Sequence, residues 1–174
     1  MRLPLARTLA FVAGLFALAL PAQAFDTSIF YRLTTEFRGG AMPLDVVNGG
    51  SMNNFTRLAP AGNYSGQFWR LAPAGNGTYR LSTEFRGREM CLDVVNGGAL
   101  DNMTHLVPCA NYTGQFWSVG TDGGRYRLTT DFRGPGMCLD VFNGGQFDNF
   151  THLAPCANYS GQYWTLTPTG RPAY

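Results

Sequence analysis

Between residues 125 and 166 apolar and polar side chains alternate with the period of two that marks half-buried strands. Tyr126 and Leu128 fall on one face, as do Leu139 and Val141, with Asp140 on the opposite face. Four short strands are expected there, over Arg125 to Thr129, Met137 to Phe142, Thr151 to Pro155 and Tyr163 to Leu166. Gly134-Pro135-Gly136, Asn143-Gly144-Gly145 and Asn158-Tyr159-Ser160-Gly161 separate them with residues suited to tight turns. No helical period competes with this pattern.

The same four-strand unit occurs three times. Aligning Trp69, Trp117 and Trp164, each closing a Gln-x-Trp triplet, gives periods of 48 and 47 residues, and Asp45, Asp93 and Asp140 keep the same step. The repeats run over about 30–77, 78–124 and 125–171. Twelve strands in three units are too few for a propeller, so a closed barrel capped by hairpins is the expected solution, since closure removes the exposed strand edges. Leu33, Leu81 and Leu128, then Leu44, Leu92 and Leu139, then Leu58, Leu106 and Leu153, together with the three tryptophans, would form layers about a pseudo-threefold axis.

Residues 1–24 read as a cleavable export signal, with Arg2 and Arg7, an apolar run from Leu9 to Leu20 and the small-residue site Ala22-Gln23-Ala24, so the mature chain is expected to start at Phe25. The remaining chain, about 150 residues, suits one domain, 25–174, with no room for a separate catalytic unit. Without the two leader arginines, 11 basic side chains face 11 acidic ones, and lysine is absent altogether. That balance argues against a nucleic-acid partner, which needs clustered cations, and no later apolar run is long enough to span a membrane.

Cys91 and Cys109 lie in the second repeat, and Cys138 and Cys156 at the equivalent places in the third, whereas the first repeat has Pro43 and Ala61 there. Loss of both partners together favours bridges within repeats, Cys91 to Cys109 and Cys138 to Cys156, and suits an oxidising compartment. A four-thiolate zinc site is the alternative, but the C-x-x-C spacing it favours is missing.

Three motifs now combine: Cys-Leu-Asp-Val at Cys91 to Val94 and Cys138 to Val141, Leu-x-Pro-Cys at Leu106 to Cys109 and Leu153 to Cys156, and Gln-x-Trp in all three repeats. Together they resemble the ricin B-chain-type lectins over nearly the whole mature chain. The resemblance implies an all-β fold, the β-trefoil, and a non-catalytic carbohydrate-binding function that needs no cofactor. It also implies that Asp45, Asp93 and Asp140 accept hydrogen bonds from sugar hydroxyls, and by strand parity each points away from the core leucine beside it.

The chain departs from that family at two positions of each site. The aromatic platform position holds Ala59, Val107 and Ala154, and the asparagine that usually precedes the glutamine is Gly66, Gly114 and Gly161. Arg57, His105 and His152 share a face with the platform position and are candidates for a donor or a flat ring, while Tyr64, Tyr112 and Tyr159 are candidates for a substitute platform. Gln67, Gln115 and Gln162 are expected to be structural, bonding backbone or steadying the aspartates at the edge of the site, and the tryptophans to belong to the core.

Two further recurrences read as structural. Glu36-Phe37-Arg38-Gly39, Glu84-Phe85-Arg86-Gly87 and Asp131-Phe132-Arg133-Gly134 look like solvated turns with a local acid and arginine. Six of the seven Asn-x-Ser/Thr triplets, at Asn54, Asn63, Asn102, Asn111, Asn149 and Asn158, echo the repeat, and Asn76 supplies the seventh.

The expected protein is a secreted or periplasmic lectin with up to three equivalent sugar sites. The competing expectation is a protein-interaction or cell-binding module with a secreted protein partner, such as a toxin accessory subunit or an inhibitor. An enzyme is disfavoured, because the chain has no Ser-His-Asp order, metal motif or phosphate loop.

Overall fold

A computed structural model of the protein describes residues 25–174; the expected leader and its cleavage site lie outside them. Each repeat contributes four strands: β1 Ile29–Thr35, β2 Leu44–Val46, β3 Thr56–Leu58 and β4 Trp69–Gly75; β5 Thr78–Thr83, β6 Met90–Val94, β7 Thr104–Pro108 and β8 Trp117–Asp122; β9 Arg125–Thr130, β10 Gly134–Val141, β11 Thr151–Pro155 and β12 Trp164–Pro172. Six of them pair in the order β9, β12, β1, β4, β5, β8, and β8 pairs again with β9, so the ring closes on itself. The hairpins β2–β3, β6–β7 and β10–β11 complete the three units. This is a β-trefoil.

The expected layers are in place. Leu33, Leu81, Leu128, Leu44, Leu92, Leu139 and the three tryptophans are 0% exposed, and Leu58, Leu106 and Leu153 are nearly so. Each buried indole satisfies its N–H, with Trp69, Trp117 and Trp164 donating to the carbonyls of Leu44, Leu92 and Leu139 at 2.8, 2.9 and 2.9 Å. These bonds pin each hairpin to the ring and avoid the penalty of an unpaired buried donor. At the ring's open end Phe25 packs among Tyr31, Tyr79 and Tyr126, at centroid distances of 5.8, 5.5 and 5.4 Å, one tyrosine from each repeat.

A second device lies on the axis among the hairpins. The hydroxyls of Thr56, Thr104 and Thr151 form a closed triangle with 2.6 Å sides, all three residues being wholly buried. Two residues earlier Asn54, Asn102 and Asn149 adopt left-handed backbone with φ of 70, 67 and 66°. Their carbonyls accept the N–H groups of Leu106, Leu153 and Leu58, each in another repeat, at 2.9, 2.9 and 2.8 Å. Asparagine tolerates this conformation better than most residues. Three of the recurrent Asn-x-Thr triplets are therefore the interlock between repeats.

Strand limits differ from expectation where the ring closes. β12 continues to Pro172 because its far end pairs with β1 as far as Ile29. β10 starts at Gly134, ahead of a register irregularity between Gly134 and Cys138. Both bridges form within repeats, Cys91 to Cys109 and Cys138 to Cys156, which leaves no free thiolate for zinc. In the first repeat β2 and β3 pair over only three residues, against five in β6–β7, because Pro43 has no N–H to extend the ladder.

The Glu-Phe-Arg-Gly turns require a correction: their acid and arginine do not form local pairs. Arg38 reaches Asp148 and Asn149, Arg86 reaches Asn53, and Arg133 reaches Asp101, each in the preceding repeat around the ring. Glu36 pairs with Arg125, and Glu84 with Arg171. The glycine closing each turn has φ of 68, 77 or 73°, which folds the guanidinium back over its own phenylalanine, 4.1 Å from the ring centre in all three copies. From there the arginine extends to the neighbouring unit.

Candidate functional site

The second and third strands of each repeat set the site. Asp45 lies directly across from Arg57, Asp93 from His105, and Asp140 from His152. As parity requires, the carboxylates turn away from the core leucines. They do not stand out on the rim, however: Asp93 and Asp140 are 8% exposed and Asp45 is half-buried. The loop before each Gln-x-Trp triplet, wound as a single 3-10 turn over Ser65–Gln67, Thr113–Gln115 and Ser160–Gln162, folds onto them.

Glycine makes that approach possible. A Cβ on Gly66, Gly114 or Gly161 would lie 2.2, 2.1 or 2.3 Å from the Oδ1 of Asp45, Asp93 or Asp140, well inside contact distance. The position where the family usually carries asparagine therefore admits no side chain here unless the aspartate moves.

Each carboxylate is held at both oxygens. Oδ1 accepts the N–H of Val46, Val94 or Val141 at 2.7 Å. Oδ2 accepts Nε2 of Gln67, Gln115 or Gln162 at 3.0, 3.0 and 2.9 Å. The glutamines are wholly buried and bond the backbone of the preceding loop, and Gln162 Oε1 also accepts from the Arg127 guanidinium at 3.1 Å. Nε2 also donates to the carbonyl of Pro60, Pro108 or Pro155, and Oε1 accepts from the N–H of Gly62, Ala110 or Ala157. Fixed amide orientation presents a donor to the aspartate, so the glutamines position the acid from beneath.

Three cavities open above these carboxylates, with volumes of about 610 Å³ at Asp45, 390 Å³ at Asp93 and 480 Å³ at Asp140. Tyr64, Tyr112 and Tyr159 line them and are 61–62% exposed, placing each phenol at a cavity mouth. Paired asparagines supply polar edges, Asn48 with Asn63, Asn96 with Asn111, and Asn143 with Asn158.

A second aromatic wall is absent from the sequence reading. Phe85 lines the cavity of Asp45, Phe132 that of Asp93, and Phe37 that of Asp140. Each comes from the turn of the following repeat, with the first following the third. An apolar ring recurring inside an otherwise charged turn was the available signal, because a solvated turn has no need of it.

The residues opposite the aspartates diverge. Arg57 is exposed and lines the first cavity. His105 and His152 are half-buried and are not among the residues lining the other two. His152 stacks on Phe142 with centroids 3.7 Å apart and planes 7° from parallel, and His105 packs against Phe55 at 5.4 Å. Burial pushes both imidazoles below the ordinary histidine range, opposed by the nearby carboxylates of Asp93 and Asp140. The vacant platform positions also differ, since Ala59 lines the first cavity while Val107 and Ala154 do not line theirs.

A family model described as ricin-type beta-trefoil lectin domain-like matches residues 67–154. Among solved structures, the designed threefold-symmetric protein ThreeFoil aligns with a TM-score of 0.66 at 25% identity, covering 79% of this chain and 97% of that one. The exo-beta-1,3-galactanase 1,3Gal43A from Clostridium thermocellum aligns at 0.68 and 22% identity, over 83% of this chain and 31% of its own. The Polyporus squamosus lectin, solved with the epitope Neu5Aca2-6Galb1-4GlcNAc, aligns at 0.64 and 17% identity, over 82% of this chain and 50% of its own. The chain thus spans half of that lectin and about a third of the galactanase, and at these identities the two share the fold with it. No curated protein matches the chain in sequence. With its repeats, glutamine-braced aspartates and closed trefoil ring, the chain belongs to the ricin-type β-trefoil lectin domain-like family.

Proposed function

We propose that the protein is an exported, non-catalytic lectin that binds carbohydrate in up to three pockets. The observation that carries this reading is the threefold recurrence of one constellation: a braced carboxylate on a cavity floor, a tyrosine at the mouth and a phenylalanine from the next repeat. Each aspartate oxygen has one protein donor and so keeps acceptor capacity for a sugar hydroxyl. Charge assistance strengthens such bonds, and the aromatic walls suit the apolar face of a pyranose ring.

Each cavity is lined by a single carboxylate, whereas glycoside hydrolysis ordinarily uses two, roughly 5 to 9.5 Å apart. Binding without turnover fits that count. Three weak sites on one rigid body gain strength on a dense glycan surface through effective concentration. The two disulfides suit an oxidising compartment, in keeping with export.

A protein-docking role would call for a continuous apolar patch. Among the described residues the large exposed hydrophobic side chains are Tyr64, Tyr112 and Tyr159, one per repeat, with Tyr174. The test is a glycan array with the wild type and with Asp45, Asp93 and Asp140 changed to alanine singly and together. Stepwise loss of binding supports the proposal. No glycan binding by the folded wild type, or full binding by the folded triple variant, ends it.

A further inference from the structure

The three pockets are not chemically equal. We propose that the first pocket selects an acidic saccharide, one bearing a carboxylate or a sulfate ester, with Arg57 taking the anion while Asp45 takes neighbouring hydroxyls. This rests on the carbohydrate-binding reading and adds the class of sugar.

The first argument is that Arg57 is uncommitted. Its guanidinium has no hydrogen bond or ion pair among the described residues, although it lies exposed on the wall of a 610 Å³ cavity. Other arginines near this pocket are engaged: Arg32 donates to the carbonyl of Gly62, Arg86 to Asn53, and Arg171 pairs with Glu84 at 2.7 Å. Asp45 is directly opposite on the adjoining strand, yet it does not approach within the 4.0 Å of an ion pair and spends its oxygens on Val46 and Gln67. One cavity therefore presents a hydroxyl acceptor and a free planar cation side by side without mutual neutralisation. A guanidinium offers paired donors that match the oxygens of a carboxylate or sulfate.

The second argument is symmetry breaking. The places equivalent to Arg57 hold His105 and His152, which pack against Phe55 and Phe142 instead of facing the cavities. Burial lowers their proton affinity and so disfavours positive charge at these two places. The first cavity is also larger than the 480 and 390 Å³ of its mates, and its aspartate is the more exposed of the three. Space and positive charge thus coincide in one pocket.

The experiment compares the wild type, Arg57→Gln and Arg57→Lys on an array of oligosaccharides in matched sets: a terminal neutral hexose, the corresponding hexuronate and the corresponding 6-sulfated hexose. The wild type is expected to bind one or both acidic forms roughly 5- to 10-fold more tightly than the neutral form, a partly exposed charge-assisted contact. Arg57→Gln should abolish that ratio by weakening the acidic forms to the level of the neutral one, and Arg57→Lys should keep part of it. Added salt should shrink the ratio in the wild type and in Arg57→Lys and leave Arg57→Gln unchanged. Which arm responds, uronate or sulfate, identifies the anion. Because Arg57 is exposed, both variants should melt with the wild type. Equal binding of neutral and acidic forms by the wild type, or a ratio unchanged in Arg57→Gln, overturns this inference while leaving the lectin reading intact; no glycan binding at all removes both.

Discussion

Gly114→Ala offers the sharpest test of how the pocket floor is built. The added methyl would sit 2.1 Å from Asp93 Oδ1 and 3.2 Å from the Val94 nitrogen. Backbone on one side and a braced carboxylate on the other leave little room to yield, so the acid must move. Its movement weakens the 2.7 Å bond from Val94 and the 3.0 Å bond from Gln115, both to an ionised acceptor. Such bonds contribute about 1.5–3 kcal/mol each, and overpacking adds about 1–3 kcal/mol. Partial retention of the bonds brings the expected loss to about 3 kcal/mol, or roughly 6–12 °C in melting temperature for a domain of this size. The measurement is urea unfolding of the wild type, Gly114→Ala, Asp93→Ala and the double variant. With the carboxylate gone, only the tight approach to the Val94 nitrogen remains, so the methyl should cost about 1 kcal/mol, giving a coupling near 2 kcal/mol. A cost for Gly114→Ala that is the same with and without Asp93, or no cost at all, would refute the account of why glycine stands there.

Three further outcomes follow from other parts of the fold. Pro43→Cys with Ala61→Cys should form the missing third bridge, because Ala61 N already bonds Ala41 O at 2.9 Å as Cys109 N bonds Glu89 O. In the chain-entropy model a loop of this length adds about 3 kcal/mol under oxidising conditions; an oxidised variant that unfolds at the same midpoint as the oxidised wild type would contradict it. Thr104→Val should cost about 1–3 kcal/mol by opening the buried hydroxyl triangle, while changing all three threonines should cost less than three times as much, since no hydroxyl is then left facing an apolar methyl. Additive losses would show that the triangle does not act as a unit. Burial holds His105 and His152 below the ordinary value near 6.5, so the unfolded chain binds protons first as pH falls. Stability from this source is complete above about pH 6.5 and declines below it until the folded histidines protonate; a decline unchanged in His105→Gln/His152→Gln would exclude them as its cause.

The fold was largely legible in the sequence because its cause is local and repeated. Alternation with period two, interrupted by turn residues, specifies the strands, and three copies of Leu, Leu, Leu and Trp specify the layers. What escaped depends on contacts between repeats. Parity indicated the direction of Asp93 but not its burial, which comes from a glycine loop closing over it. Phe132 looked like part of a solvated turn because the cavity it lines belongs to the previous unit. Asn102 and Thr104 read as a mere echo of the repeat, whereas a left-handed φ and a buried hydroxyl make them an interlock. His105 and Arg57 occupy equivalent strand positions, each bridged to a phenylalanine of the preceding repeat, Phe55 and Phe150, yet the imidazole packs on its neighbour while the guanidinium lies exposed.

The cyclic exchange of parts has a consequence for where a site can exist. The pocket of Asp140 takes Phe37 from the first repeat, and Arg38 of the same turn anchors to Asp148 and Asn149. These residues lie more than 100 positions apart in the chain and meet only because β12 pairs with β1 from Trp164 to Pro172. A single repeat supplies an aspartate, a glutamine and a tyrosine but lacks the opposing wall. Ring closure is therefore a condition for the third cavity as much as for the core. One turn motif serves both ends, since its phenylalanine completes the neighbour's cavity while its arginine fixes the neighbour's loop. In the proposed lectin the platform position need not carry an aromatic residue, because an aromatic wall is delivered from across the repeat junction.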